Sequence, residues 1–322
     1  MNAAASGLIF VCGFPSSGTD LLRSLLNAHR EVHIAGEFPL LPALARRYGA
    51  QLEPQSIDSA VRDLVASDTY SNLAQREWPA ERPRPGSFAE LYAGMVAPRH
   101  TTWCGNKTPQ NAENVDRLNV LFPDARYVLI VRDIRDVALS WRAKWGKDPL
   151  LCAHRWNERM TVAVESLRSL APRRHRIVRY EDLLSDHADI ARELCRFLEL
   201  QFDDRMLEFH EHVGDAIPGN INYGQAIVAG NVGRWRSKLA RGLVSRIEEI
   251  AAERMRDFGY VPEFATAARP LSRIGRASGV CRDMFAMLTV GNRALGSQSI
   301  RQRRDAIAHE FAKRFGRFAT RR

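Results

Sequence analysis

The sequence predicts an α/β fold, a mostly parallel sheet flanked by helices with a basic helical C-terminal extension, and three observations carry that prediction. The apolar run Leu8–Cys12 passes through a Gly/Pro/Ser turn into Leu21, Leu22, Leu25 and Leu26, which have helical spacing. Tyr127–Val131 repeats the pattern: an apolar, β-branched run without polar alternation, followed by Asp136–Trp145, which can form a helix. Runs without alternation suit strands covered on both faces, and strands that alternate with helices build parallel sheets. The third observation is charge: residues 269–322 hold 13 basic and 3 acidic side chains, which accounts for the whole net charge of +10.

In chain order, the first strand and helix are followed by a short strand before Glu37, and residues 40–100 then read as helical. The proline-rich stretch Trp78–Gly86 must interrupt them, because proline removes a donor and clashes with the preceding turn. Ser87 with Glu90 forms a capping box for a helix through Met95. After the 127–131 strand and its helix, Arg176–Tyr180 reads as a third strand. A helix from about Ala188 to Leu200 follows, with Ile190, Leu194, Phe197 and Leu198 on one face. A boundary falls near Phe264–Pro270, giving an α/β domain over 1–265 and the basic extension over 266–322.

Composition narrows the function. At 322 residues, 45% hydrophobic and 26% charged, the chain is an ordinary globular sequence with material for a large core. No apolar run reaches the roughly 20 residues that cross a bilayer, and Leu8–Phe14 has no basic region before it, so it reads as a strand and the expected location is the cytoplasm. Cys12, Cys104, Cys152, Cys195 and Cys281 are odd in number and scattered, which argues against a disulfide framework or a zinc site. With the body neutral and no reader motif present, no nucleic-acid partner is expected.

The segment GFPSSGTDLLRSLLNAH (13–29) has the G-x-x-x-x-G spacing of a nucleotide phosphate loop. Thr19 and Asp20 nevertheless stand where that loop carries Lys and Ser or Thr, so a magnesium nucleotide fits poorly. Backbone N–H groups of Ser16, Ser17, Gly18, Thr19 and Asp20 at a helix N-terminus, with three hydroxyls beside them, suit an anion; helix capping by Ser17 or Thr19 is the plainer alternative. Arg132 ends the second strand, where parallel sheets bind ligands, and Ser140 lies on the helix after it. Arg132 could instead pair with Asp133 or Asp136.

Taken in order, PSSGTDLLRSLLNAH, AGEFP, GNKTP, YVLIVRDIRDVALSW, VRYEDLL and NVGRWRSKL resemble the sulfotransferases that use 3′-phosphoadenosine 5′-phosphosulfate (PAPS), above all the tyrosylprotein and bacterial carbohydrate branch. The resemblance covers roughly Leu8 to Tyr260 and implies a P-loop-like fold. It implies that the 13–20 loop holds the 5′-phosphosulfate, that Arg132 and Ser140 hold the 3′-phosphate, and that the basic loop at Arg234 closes over it. It also implies no metal, with adenosine 3′,5′-bisphosphate as product. Many members carry Lys or Arg where this chain has Ser16, and a second Thr where it has Asp20; Lys107 is the substitute cation, matching a lysine that faces the bridging oxygen of the donor. Glu37 matches the glutamate that deprotonates the acceptor, with His33, His100 and His154 in reserve.

Ile300, Ile307, Phe311, Phe315 and Phe318 repeat near helical period among basic residues, so residues 300–318 read as an amphipathic helix for an anionic membrane surface or a partner groove. The expectation is a PAPS-dependent sulfotransferase, cytoplasmic and peripheral at the inner membrane surface, acting on a hydroxyl of a glycan, glycolipid or other acceptor. A non-catalytic binding protein on the same fold, and a P-loop kinase, are the alternatives.

Overall fold

A strand that is apolar on both faces must lie in the middle of a layered fold, and β1 (Gly7–Gly13) does. The computed structural model describes residues 7–68, 72–80, 82–97, 101–209 and 229–289. After β1 come α1 (Thr19–Asn27), β2 (Val32–Ala35), α2 (Leu41–Tyr48), α3 (Ile57–Ser67), α4 (Phe88–Val96), β3 (Trp103–Lys107), α5 (Val115–Leu121) and β4 (Arg126–Val131). The chain continues with α6 (Ile134–Trp145), α7 (Pro149–Arg168), β5 (His175–Arg179), α8 (Tyr180–Ser185), α9 (His187–Leu198), α10 (Trp235–Lys238), α11 (Arg241–Asp257) and α12 (Arg273–Thr289). The five strands run parallel in the order β2-β3-β1-β4-β5.

Alternation along each strand divides the core in two. Leu8, Phe10 and Cys12 of β1, with Tyr127, Leu129 and Val131 of β4, face a layer that includes α4, α6, α7 and α11. Ile9 and Val11, with Val128 and Ile130, face α1, α8 and α9. Leu22, Leu25 and Leu26 of α1 are fully buried in that second layer, each contributing about 1.5–3 kcal/mol of apolar burial. Trp156 on α7 is fully buried in the first layer.

The sequence-based elements match with small shifts. Tyr180 is the first residue of α8 and not the end of a strand, and the helix expected to end at Leu200 ends at Leu198. Ser87 Oγ accepts from the Glu90 amide as a cap should, but Glu90 Oε2 reaches the amide of Gly86 and not that of the cap residue. Reading by apolar runs does not find β3, because WCGNK has few apolar residues; it is a strand because β1 and β2 pair with it on both sides. Gly105 there has no substitute, since a Cβ would lie 1.7 Å from the Ile9 carbonyl oxygen.

The start of the basic extension packs on the body. Asp283 of α12 is buried, accepting from the Asp148 amide at 2.8 Å and from Arg155 Nη1 at 3.1 Å at the start of α7. The amphipathic segment 300–318 lies outside the described residues. Among the described residues, no helix is long and apolar enough to cross a membrane.

A buried charge network ties the last helices to the sheet. Arg135 on α6 donates to Asp133 and, through Nη1, to Glu248 of α11 at 2.7 Å. Glu248 is fully buried and also accepts the amides of Glu263, Phe264 and Ala265. Removing Glu248 takes the buried carboxylate acceptor from Arg135 Nη1 and from three amides at once, so Glu248→Ala should lower unfolding free energy by about 3–5 kcal/mol, read from urea denaturation.

Candidate active site

The carboxyl ends of β1, β3 and β4 converge on one edge of the sheet, and the residues after them build the site. Gly13 ends β1, and the chain turns through Phe14 to Ser17 into α1. Ser16 (φ 72°) and Gly18 (φ 93°) both sit in the left-handed region, which reverses the backbone within a few residues. The carbonyls of this turn are all engaged: Phe14 O by the Ser17 amide within the turn, and Pro15 O by Trp141 Nε1 (3.1 Å) and Ser16 O by Arg132 Nη1 (3.1 Å) from α6 and the residue after β4. The amides of Thr19, Asp20 and Leu21, in the first turn of α1, have no carbonyl one turn back within the helix. No side chain caps α1, so Ser17 and Thr19 are not acting as helix caps.

Arg132 follows β4 and binds across the loop. Its Nη2 donates to the Asn231 carbonyl at 2.7 Å, and its guanidinium lies 4.2 Å from the centre of the Tyr180 ring. Asp133 pairs with Arg135, so Arg132 is not consumed by the local ion pair that its neighbours offered. Three polar atoms here are buried without a partner: Ser16 Oγ, Ser17 Oγ and Arg132 Nε. Leaving such groups dry and unpaired costs about 1–3 kcal/mol each, which a tetrahedral anion with several acceptor oxygens would relieve.

A second cluster lies beside the loop. Lys107, the last residue of β3, is buried, and its Nζ is 2.7 Å from Asp20 Oδ1 and 2.9 Å from Glu37 Oε1. The local sequence explains the placement. Asn106 is buried and donates to Tyr92 Oη, while its own Oδ1 accepts from Thr108 Oγ1 (2.8 Å) and Asn111 Nδ2 (3.0 Å). Thr108 Oγ1 in turn accepts the Phe38 amide at 2.8 Å, and Asn72 holds the Gly36 amide and the Glu37 carbonyl. The GNKTP segment therefore fixes both Lys107 and the backbone that carries Glu37.

The structure thus gathers Ser16, Ser17, Gly18, Thr19, Asp20, Glu37, Lys107 and Arg132 at one edge. Arg234 is exposed at the start of α10 and reaches the group indirectly, donating to Asn231 Oδ1 at 3.1 Å while the Asn231 carbonyl holds Arg132. Ser140 is half-buried on α6. Of the reserve histidines, His33 is held below the usual histidine range chiefly by burial on β2, His154 pairs with Glu158 on α7, and His100 lies outside the described residues.

The roles of three residues of this neighbourhood escape sequence reasoning. Lys144, one turn beyond Ser140 on α6, is held below the usual lysine range by burial and then by the Arg132 charge, with Asp20 opposing. Its signal was the four-residue spacing from Ser140, which puts both on one helix face. Asp136 accepts the amides of Gly233 (2.7 Å) and Trp235 (3.0 Å), which pins the basic loop to α6; burial pushes its carboxyl up. Glu181 accepts from the Asp133 amide (3.1 Å) and from Tyr260 Oη (2.6 Å), and burial raises it too.

A family model described as "Sulfotransferase family" matches residues 9–204. The chain is 27% identical over 249 residues to an uncharacterised protein of Aquifex aeolicus, covering 71% of this chain and 30% of that one. It is 25% identical over 270 residues to protein-tyrosine sulfotransferase A of Caenorhabditis elegans, covering 80% of this chain and 68% of that one. Its fold is shared with the sulfotransferase domain from the curacin biosynthetic pathway, at a TM-score of 0.55 and 22% identity over 80% of this chain and 99% of that one.

Gly18 tests the turn. A Cβ would meet Tyr180 Cδ2 at 2.4 Å and would sit on a φ of 93°, so Gly18→Ala should destabilise the fold by about 1–2 kcal/mol or more. Thermal denaturation of the purified variant checks this, and a change under half that size would show that the turn yields easily.

Proposed function

The chain belongs to the sulfotransferase family, and from that premise we propose that it moves the sulfuryl group of PAPS to an acceptor hydroxyl, leaving adenosine 3′,5′-bisphosphate. The observation that carries this reading is the set of buried, unpartnered donors Ser16 Oγ, Ser17 Oγ and Arg132 Nε around a loop whose carbonyls are already engaged. They fit the phosphate and sulfate oxygens of the donor. Ser16, Ser17 and the backbone amides of Gly18, Thr19 and Asp20 would hold the 5′ side. Arg132, Ser140 and Arg234, with Lys144 beside them, would hold the 3′-phosphate.

In this reading Glu37 takes the proton of the acceptor hydroxyl, and Lys107, 2.9 Å from it, brings positive charge to the oxygen that leaves. That cation takes over the duty of the loop lysine that this sequence lacks, so magnesium is not required in this reading. The acceptor is a hydroxyl, and the name of the Caenorhabditis elegans relative makes a tyrosyl phenol the first to try, ahead of the glycan or glycolipid that the carbohydrate branch suggests.

Adenosine 3′,5′-bisphosphate at a hundredfold excess over its dissociation constant should raise the melting temperature by roughly 5–10 °C, and ATP with magnesium should not. The reverse pattern would overturn the assignment in favour of a kinase. Glu37→Gln should lower turnover about 10²–10⁴-fold with little change in bisphosphate affinity. Bisphosphate binding with no transfer by the native chain would identify a binding protein.

A further inference from the structure

Asp20 is out of place by the logic of the loop that contains it. The first turn of α1 favours a carboxylate, but in the proposed reading the same turn presents hydroxyls and backbone amides to an anionic donor, and a fixed negative charge opposes that anion. Its surroundings account for it. Lys107 lies between Asp20 Oδ1 (2.7 Å) and Glu37 Oε1 (2.9 Å), with only 6% of its own side chain exposed against 37% and 35% for the two carboxylates. A lysine this buried needs compensation, and Glu37 alone would hold it on the acceptor side. Asp20 draws the ammonium toward the loop, and it acts on Lys144 from the same position.

The geometry points to Asp20 as a positioning residue: a built-in counter-anion that holds Lys107 at the mouth of the anion loop and does so at the expense of donor affinity. This rests on the proposed function, since only an anionic donor makes the carboxylate a competitor. Its charge and the donor's would share Lys107, so the residue trades ground-state binding for the placement of the cation that supports departure of the leaving oxygen. A residue serving only the α1 helix dipole would still oppose the donor by its charge but would leave kcat unchanged.

The test measures the dissociation constant of adenosine 3′,5′-bisphosphate by calorimetry and the rate of its release from PAPS as the sulfuryl group passes to a tyrosyl peptide supplied as acceptor, for native protein, Asp20→Asn and Asp20→Glu. Asp20→Asn should bind the bisphosphate about fivefold more tightly, as expected for removing one partly exposed like charge, and should lower kcat severalfold. Asp20→Glu, which keeps the charge, should not tighten binding. If Asp20→Asn folds poorly, Asp20→Thr keeps an oxygen in the first turn and should give the same opposite changes. Unchanged or weaker binding in both neutral variants, or tightening with no loss of kcat, would overturn the role. Native protein that binds no bisphosphate would overturn the proposed function and this role with it.

Discussion

The site exists because β1 is hydrogen-bonded on both sides to parallel strands in one register. Val11 lies opposite Lys107 of β3, and Gly13 lies opposite Ile130 of β4. Those pairings bring the start of the 13–20 loop, the lysine and, two residues after Ile130, Arg132 to the same edge. A one-residue slip would turn Lys107 to the other face of the sheet and exchange its two apolar layers, so burial of both faces enforces the register. The chemistry is therefore a by-product of core packing on which very few side chains have to be specially placed.

Polar groups do that placing, and they do it by satisfying one another. Every carbonyl from Phe14 to Ser16 is engaged, whereas the hydroxyls of Ser16 and Ser17 are left over. On the other side, the Asn106–Thr108–Phe38 chain fixes the Glu37 segment against Lys107. Asp136 holds the Gly233–Trp235 turn so that the Asn231 carbonyl meets Arg132. The 13–20 loop, a cation between two carboxylates and the basic Gly233–Lys238 segment are thereby joined by short side-chain bonds.

Elements with a simple period were legible in the sequence: β1, α1, β4, α6 and α9 all announce themselves through apolar runs or helical spacing. β3 was not, because its stability comes from two neighbouring strands and not from its own composition. Glu37, Lys107 and Arg132 were found through short motifs in order, and their convergence follows from the topology. Lys144, Asp136 and Glu181 were not found, because burial and a partner distant in sequence define their roles, and neither is visible in a local window. Asp20 was visible as a departure from the motif, yet its ion pair with Lys107 needed the structure.

The most direct measurement is a calorimetric titration of the protein with adenosine 3′,5′-bisphosphate in the presence of a metal chelator, repeated with Arg132→Ala. A chain that holds the donor through Ser16, Ser17 and Arg132 binds with unchanged affinity in chelator and loses at least tenfold in the variant, the equivalent of about 1.4 kcal/mol for one charge-assisted pair. Binding that appears only with magnesium, or that is indifferent to Arg132, would contradict the assignment of these residues to the donor.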